Sequence, residues 1–251
     1  MQSLPVKWNS QHFFNLKLWG EIAQHTELEE LLNETRYHLN GSATQVGSNT
    51  DSIPISLVLA SSSAYRASTL RNMGYSFIQA SPNIDETSAP GESPADLARR
   101  LAVSKAQAIK PELFPALVIG SDQTGQCDDT LLVKPGSEQN AVDMLCSMQG
   151  KQAMFFSAVA TVFWKDSDRP SQPKHRLITT EVKFHSMSSA QLARYVGLDQ
   201  SLDCAGGFKV EQLGIALFEY VRSDDPSALV GLPAIALTQM MRESLIDPIP
   251  H

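Results

Sequence analysis

From about residue 53 onward, apolar residues gather into short continuous runs separated by segments of helical period, the signature of a sheet with helices laid against it. The run at 55–60 reads as a buried strand. Ser61-Ser62-Ser63 turns the chain, and 65–73 predicts a helix ending at Gly74. Residues 75–80 alternate as a second strand. Ser93 as N-cap and Pro94 in the first turn open a long helix carrying Leu97, Leu101, Ala102, Lys105, Ala106 and Ile109. A third strand, 116–120, leads directly into Ser121-Asp122-Gln123. The pattern then predicts a helix over 138–148, a strand over 154–164, a loop or hairpin over 166–174 and a strand over 179–184. A helix over 188–195, a strand around 215–220 and a closing helix over 237–245 complete it. Strands alternating with helices give an α/β class, with a mixed sheet because some connections are too short for crossovers.

The first 52 residues follow another rule. Thr26 and Glu29 fit a capping box, Leu28, Leu31, Leu32, Thr35 and Leu39 recur at helical spacing, and Asn40-Gly41 supplies a stop. Phe13, Phe14, Leu16, Leu18, Trp19 and Ile22 form a more hydrophobic stretch upstream, and 41–52 is a polar linker. The chain therefore divides into a helical extension with its linker, 1–52, and a main domain, 53–251. Nothing in the extension suggests chemistry; it could dock a partner, but docking on the protein's own body is the blander expectation.

Composition narrows the function. A formal net charge of −7 argues against general nucleic-acid binding, which needs a basic face, yet leaves room for a few placed cations around one small anion. Cys127, Cys146 and Cys204 lack metal or disulfide spacing and fit reduced thiols. No apolar run is long enough to span a bilayer. Residues 1–40 carry Glu21, Glu27, Glu29, Glu30 and Glu34 against Lys7, Lys17 and Arg36, unlike an acid-poor transit peptide. The expectation is a cytoplasmic protein.

Four places could carry chemistry. Ser61 to Arg66 is a strand-turn-helix whose hydroxyls, amides and guanidinium suit an anion, though serine-capped helices are common. Asp122 follows an apolar strand, where ligands of α/β sheets collect, and can bind a metal, act as a base on water, or merely form a turn. Lys105 and Lys134 are candidate phosphate ligands that, singly, would more often be solvated. Asp85-Glu86-Thr87 offers a metal carboxylate or only a polar loop. No GxxxxGK[ST] P-loop occurs, and the histidines form no HExxH or paired-ligand pattern.

Order and spacing join these weak signals. From Leu57 to Leu245 the chain resembles the Maf family of nucleoside triphosphate pyrophosphatases. The family's opening turn is matched by Ser61-Ser62-Ser63-Ala64-Tyr65-Arg66, its acidic loop by Asp85-Glu86-Thr87, and its helix by Arg100-Leu101-Ala102 and Lys105-Ala106. Gly120-Ser121-Asp122, Lys134-Pro135, Cys204-Ala205-Gly206-Gly207-Phe208 and Leu229-Val230-Gly231-Leu232-Pro233 follow in family order. Gln123 and Phe208-Lys209-x-Glu211 look like the branch that prefers N7-methyl-GTP. Two departures stand out: Ala64 replaces the usual proline, and Tyr65 stands where that branch commonly carries tryptophan.

The resemblance implies an elongated mixed-sheet α/β fold with flanking helices, two lobes around a nucleotide cleft, and often a homodimer. It implies cleavage between the α- and β-phosphates to a monophosphate and pyrophosphate, with Mg²⁺ or Mn²⁺ as cofactor. Asp122 falls on the catalytic position and, with Glu86, on the metal site. Ser61, Arg66, Lys105 and Lys134 fall on phosphate-binding positions, and Tyr65, Gln123 and Glu211 on positions associated with base selection. The rival readings are a non-catalytic nucleotide-binding regulator of cell division and a pyrophosphatase preferring dTTP or UTP.

Overall fold

The computed structural model describes residues 36–39 and 52–250, the backbone alone at 36–39, 52 and 53. The helices expected over 10–35 and most of the linker lie outside the described residues. In chain order the strands are β1 (Arg36–Leu39), β2 (Ser52–Ala60), β3 (Ile78–Ala80), β4 (Ala116–Cys127), β5 (Thr130–Leu132), β6 (Gln152–Trp164), β7 (Lys174–Phe184), β8 (Phe218–Ser223) and β9 (Ile246–Asp247). The α-helices are α1 (Ala64–Asn72), α2 (Pro94–Ala108), α3 (Glu138–Met148), α4 (Ser189–Asp199) and α5 (Ala234–Arg242). The sheet order is β8-β7-β6-β4-β2-β1-β9, with β3 on β2 and β5 on β4. β2 pairs parallel with β3 and β4, whereas β4–β6, β6–β7 and β7–β8 are antiparallel. The mixed sheet expected of the sequence is the one observed.

Alternation along β4 divides the interior. Leu117 and Ile119 point to one side, where they join Leu57 and Leu59 of β2, Ala67 and Leu70 of α1, and Leu237 and Met240 of α5. Val118 points to the other side, with Val58 and Ala60. A further core lies where the antiparallel half of the sheet meets α3 and α4, built around Phe155, Phe184, Leu145 and Leu192. Phe155, Phe184, Phe208 and Phe218 meet there edge to face, with centroids 4.9–6.0 Å apart. The long strands β4 and β6 run through both halves.

Helix α2 sits unusually close to the sheet. Its Ala98, Ala102 and Ala106, spaced four apart, pack on Ala158 and Ala160 of β6, all without exposure. A Cβ at Gly120 of β4 would lie 2.2 Å from the Ala102 carbonyl oxygen and 2.6 Å from the Ala106 nitrogen. Small residues on both surfaces allow backbone to approach backbone, which fixes the height of α2 above β4.

Several expectations are corrected. Residues 36–39, read as the end of a helix, form β1 and pair in parallel with β9, Tyr37 opposite Ile246 and His38 opposite Asp247. That ladder joins segments some two hundred residues apart, and a local leucine spacing cannot register it. β4 does not end at Gly120 but runs on to Cys127, because β6 continues to pair with it after β2 has stopped. Asp122 is therefore inside a strand rather than after one. The strand expected around 215–220 is a 3₁₀ turn, Leu213–Leu217, followed by β8. Of the strand expected over 75–80 only 78–80 forms; Tyr75 is buried and its hydroxyl donates to the Pro248 carbonyl at 2.7 Å. The closing helix runs three residues earlier than expected.

Gly120→Ala is expected to lower unfolding stability by about 1–3 kcal/mol, the range for overpacking a tight contact. Denaturant unfolding measures it. A variant as stable as the wild type would mean that α2 can lift off β4 freely.

Candidate active site

Asp122 sits two residues past the end of β2. Ala60, the last residue of β2, pairs with Gly120, and beyond that point β4 has lost its parallel neighbour. The gap opens a cavity of about 510 Å³. It is lined by the Ser61–Arg66 turn, Glu86, Lys105, Asp122, Gln123, Lys134, the 203–211 loop and Leu229 to Gly231. The carboxyl end of a parallel pair is where α/β sheets expose a crevice, and here the missing neighbour makes it.

Even-numbered residues of β4 face α2. Gly120 lets the helix approach, Thr124 donates its hydroxyl to the Pro94 carbonyl at 2.7 Å, and Asp122 lies between them. Lys105, on α2, is driven by this packing to place its ammonium 2.6 Å from Asp122 Oδ1 and 2.7 Å from Glu86 Oε1. Lys105 and Asp122 are buried, whereas Glu86 reaches in from an exposed loop. That loop is stapled to α2 by Arg100, which donates to both carboxylate oxygens of Glu92 at 2.7 and 2.9 Å and to the Thr87 carbonyl at 2.9 Å. Arg100 thus sets the position of Glu86 without reaching the cavity lining.

Odd-numbered residues of β4 face the segment before α5. The Ser121 hydroxyl lies 2.7 Å from the Ala158 carbonyl and 2.9 Å from that of Gly231. Gln123 donates its amide to Ser157 Oγ at 2.9 Å and to the carbonyls of Ala228 and Leu229 at 2.9 and 3.2 Å. Gly231 adopts φ +113°, which only glycine takes readily, and its carbonyl also accepts from Arg66 Nε at 2.9 Å. Arg66 Nη1 donates to Ser61 Oγ at 3.2 Å. The turn is braced further by Asp225, buried, whose carboxylate accepts from Ser227 and from the amides of Ile235 and Ala236 at 2.7 and 3.1 Å.

The far end of the cavity is aromatic. Tyr65 donates its hydroxyl to Asp203 at 3.3–3.4 Å, and the Lys209 ammonium lies 5.6 Å from its ring centroid. Glu211 stands exposed on the same loop, at the rim. A Cβ at Gly214 would meet the Lys209 carbonyl at 2.5 Å, so glycine permits the tight fold that brings this loop back over the cavity.

The two carboxylates are set apart electrostatically. Burial pushes the Asp122 carboxyl above the ordinary aspartate value, against the pull of Lys105 and Arg66. Burial also acts upward on Glu86, but its hydrogen bond to Lys105 and the charges of Lys105, Arg66 and Lys134 outweigh it and hold the group below the usual range. One acid is disposed to take a proton and the other to stay charged.

All nine residues selected from the sequence line this one cavity. Their roles separate on inspection. Gln123 spends its amide hydrogens on backbone carbonyls, so it fastens the 228–231 segment. Ser121, Arg100, Asp203, Lys209 and the Gly231 carbonyl were not selected. Arg100, Lys209 and Gly231 all sit inside motifs the sequence displays, but Arg100 and Gly231 act through contacts across 8 to 165 positions that no local pattern reveals.

Cations around a buried carboxylate, next to an aromatic pocket, define a protein that grips a small polyanion bearing a planar group. The chain belongs to the Maf-like protein family, whose model matches residues 56–244. It is 43% identical over 188 residues to a 7-methyl-GTP pyrophosphatase of Xanthomonas axonopodis pv. citri, covering 75% of this chain and 96% of that protein. A protein of the same name from Aromatoleum aromaticum is 45% identical over 193 residues, 76% of this chain and 97% of the relative. One from Idiomarina loihiensis is 40% identical over 195 residues, 77% and 96%. Among the described residues, no helix is long and apolar enough to cross a membrane.

The Arg100 staple has a pH signature. The Arg100 hydrogen bonds, with the Ala89 amide, hold the Glu92 carboxyl down at about 2. A depressed carboxyl stabilises the fold above its unfolded value and loses that contribution as pH falls through its folded value. Glu92→Gln is therefore expected to lower Tm above pH 4.5 and to converge on the wild type near pH 2. Parallel melting curves across that range would sink the staple.

Proposed function

We propose that the protein hydrolyses nucleoside triphosphates between the α- and β-phosphates, releasing a nucleoside monophosphate and pyrophosphate, with N7-methyl-GTP as its preferred substrate. The observation that carries this reading is the Lys105 ammonium held between Glu86 and Asp122 in a cavity that Tyr65 also lines. Relatives of 40–45% identity bear the name 7-methyl-GTP pyrophosphatase, and every group the chemistry requires is present here.

The phosphates lie at the Ser61–Arg66 turn and between Lys105 and Lys134. Arg66, fixed by Gly231 and Ser61, orients phosphate oxygens, and the lysines offset charge. Asp122, whose carboxyl burial makes more basic, accepts the proton of the attacking water; pyrophosphate leaves from the opposite side of the α-phosphorus. Glu86 stays ionised.

The donor set also fits Mg²⁺ or Mn²⁺. Glu86 and Asp122 offer two hard-oxygen carboxylates on the lining of one cavity, each with one oxygen on the Lys105 ammonium. The described residues hold no group of three or more His, Cys, Asp or Glu that would form a protein-only site, and Mg²⁺ commonly takes one or two carboxylates together with substrate phosphates and water. Such an ion, when bound, polarises phosphate oxygens and stabilises the leaving pyrophosphate. Pairing of two copies is what the family resemblance implies.

N7-methylation gives guanine a delocalised positive charge. The Tyr65 face attracts a cationic ring, and Glu211 supplies negative charge and accepts from the guanine N–H edge. The raised proton affinity of buried Asp122 favours turnover over binding alone.

Two measurements test the reading. Asp122→Asn is expected to lower pyrophosphate release at least about a hundredfold, the scale of losing a general base, with an unchanged circular dichroism spectrum. Wild-type turnover in that variant would remove Asp122 from the chemistry. Across a nucleotide panel with Mg²⁺ or Mn²⁺, kcat/KM is expected to be higher for N7-methyl-GTP than for GTP, dTTP or UTP, and Glu211→Gln should lower kcat/KM for N7-methyl-GTP more than for GTP, shrinking the methylated-over-plain ratio with a smaller effect on kcat. Equal or better use of dTTP and UTP would overturn the base preference and leave the pyrophosphatase standing.

A further inference from the structure

Lys209 has no part in the chemistry above, yet its side chain is only 13% exposed inside the cavity. It is held there by Tyr65. The ammonium stands 5.6 Å from the Tyr65 ring centroid and 4.0 Å from Asp203 Oδ1, and the Tyr65 hydroxyl donates to that same Asp203 carboxylate. These three groups close a small circuit of cation, π face and anion. Tyr65, Lys209 and Asp203 all line the same cavity.

We propose that Lys209 is a positioning residue: a tethered cation that occupies the base-stacking face of Tyr65 in the free enzyme and must be displaced by an incoming base. The proposal rests on the reading of Tyr65 as the base platform and adds a competitor to it. A ring cannot stack where the ammonium stands, so every base meets the same displacement cost. What differs is the return. A cationic N7-methylguanine replaces one cation on the π face by another, whereas a neutral base replaces it by none. The platform is thus kept in the company of a positive charge whether or not substrate is bound. Lys209 has somewhere to go: Asp203, 65% exposed at the rim, remains within reach of the released ammonium.

A double-mutant cycle separates this role from a simple attraction of Lys209 to phosphate, because phosphate attraction persists when Tyr65 is gone. KM for N7-methyl-GTP is measured for wild type, Lys209→Met, Tyr65→Leu and the double variant, with kcat followed in parallel. Lys209→Met is expected to be more favourable to KM by about two- to fivefold when Tyr65 is present than when it is absent, the factor equivalent to the roughly 0.5–1 kcal/mol at the weak end of cation–π contacts, as suits a long 5.6 Å approach. The kcat ratio should stay equal in the two backgrounds, and Lys209→Arg, which keeps the cation, should restore the wild-type KM. If Lys209→Met fails to fold, Lys209→Gln makes the same comparison. The same effect in both backgrounds, or a less favourable one beside Tyr65, overturns the proposal. A wild type indifferent between methylated and plain guanine would instead sink the base preference and leave the cycle intact, since any stacked base must displace Lys209.

Discussion

One close contact governs this site: helix α2 lies so near β4 at Gly120 that a methyl group there would overlap the Ala102 carbonyl, 2.2 Å away. Everything catalytic hangs from that approach. It lowers Lys105 onto Asp122, one strand step beyond Gly120 on the same face, and Arg100 on the same helix draws in the loop that carries Glu86. A buried lysine is tolerable only with partners that cancel its charge, and two carboxylates do so. The same pairing leaves Asp122 with an elevated proton affinity and Glu86 with a reduced one. A packing constraint between small residues thereby becomes a division of labour between two acids.

The opposite face of β4 handles shape instead of charge. Ser121 and Gln123 use their hydrogen-bonding groups on the backbone of 228–231, and Gly231 turns its carbonyl toward Arg66. Alternation along a single strand therefore sends one residue to the reaction and its neighbours to the scaffold around it. Gln123 shows the consequence: it lines the cavity, but its amide is engaged three ways, so its effect on base choice runs through the position of the loop beside it.

The base end is built to different tolerances. Asp203 and Glu211 are exposed, and Lys209 reaches Asp203 at only 4.0 Å. Loops are where specificity is adjusted without disturbing a core. The Lys105–Asp122 pair rests on α2 and β4; Lys209 and Glu211 rest on a loop folded tightly at Gly214. Substrate preference can change there while the chemistry stays fixed.

The sequence alone determined which residues meet. Strand runs, the Ser93-Pro94 start of α2 and the ordered short motifs selected Ser61, Tyr65, Arg66, Glu86, Lys105, Asp122, Gln123, Lys134 and Glu211, and all nine line one cavity. Caps, periods and motif spacing are local signals; Tyr65, Gln123 and Glu211 come only from the family resemblance that the ordered motifs carry. What only the tertiary structure decided depends on partners distant in the chain. β4 runs on through Asp122 because β6 stays beside it; 36–39 becomes a strand because β9, some two hundred residues later, pairs with it. Arg100 as a positioning group and Lys209 as the cation on Tyr65 emerge only when loops fold back over the sheet. Periodicity reports the face a residue presents, and the identity of what it meets across that face is set by packing.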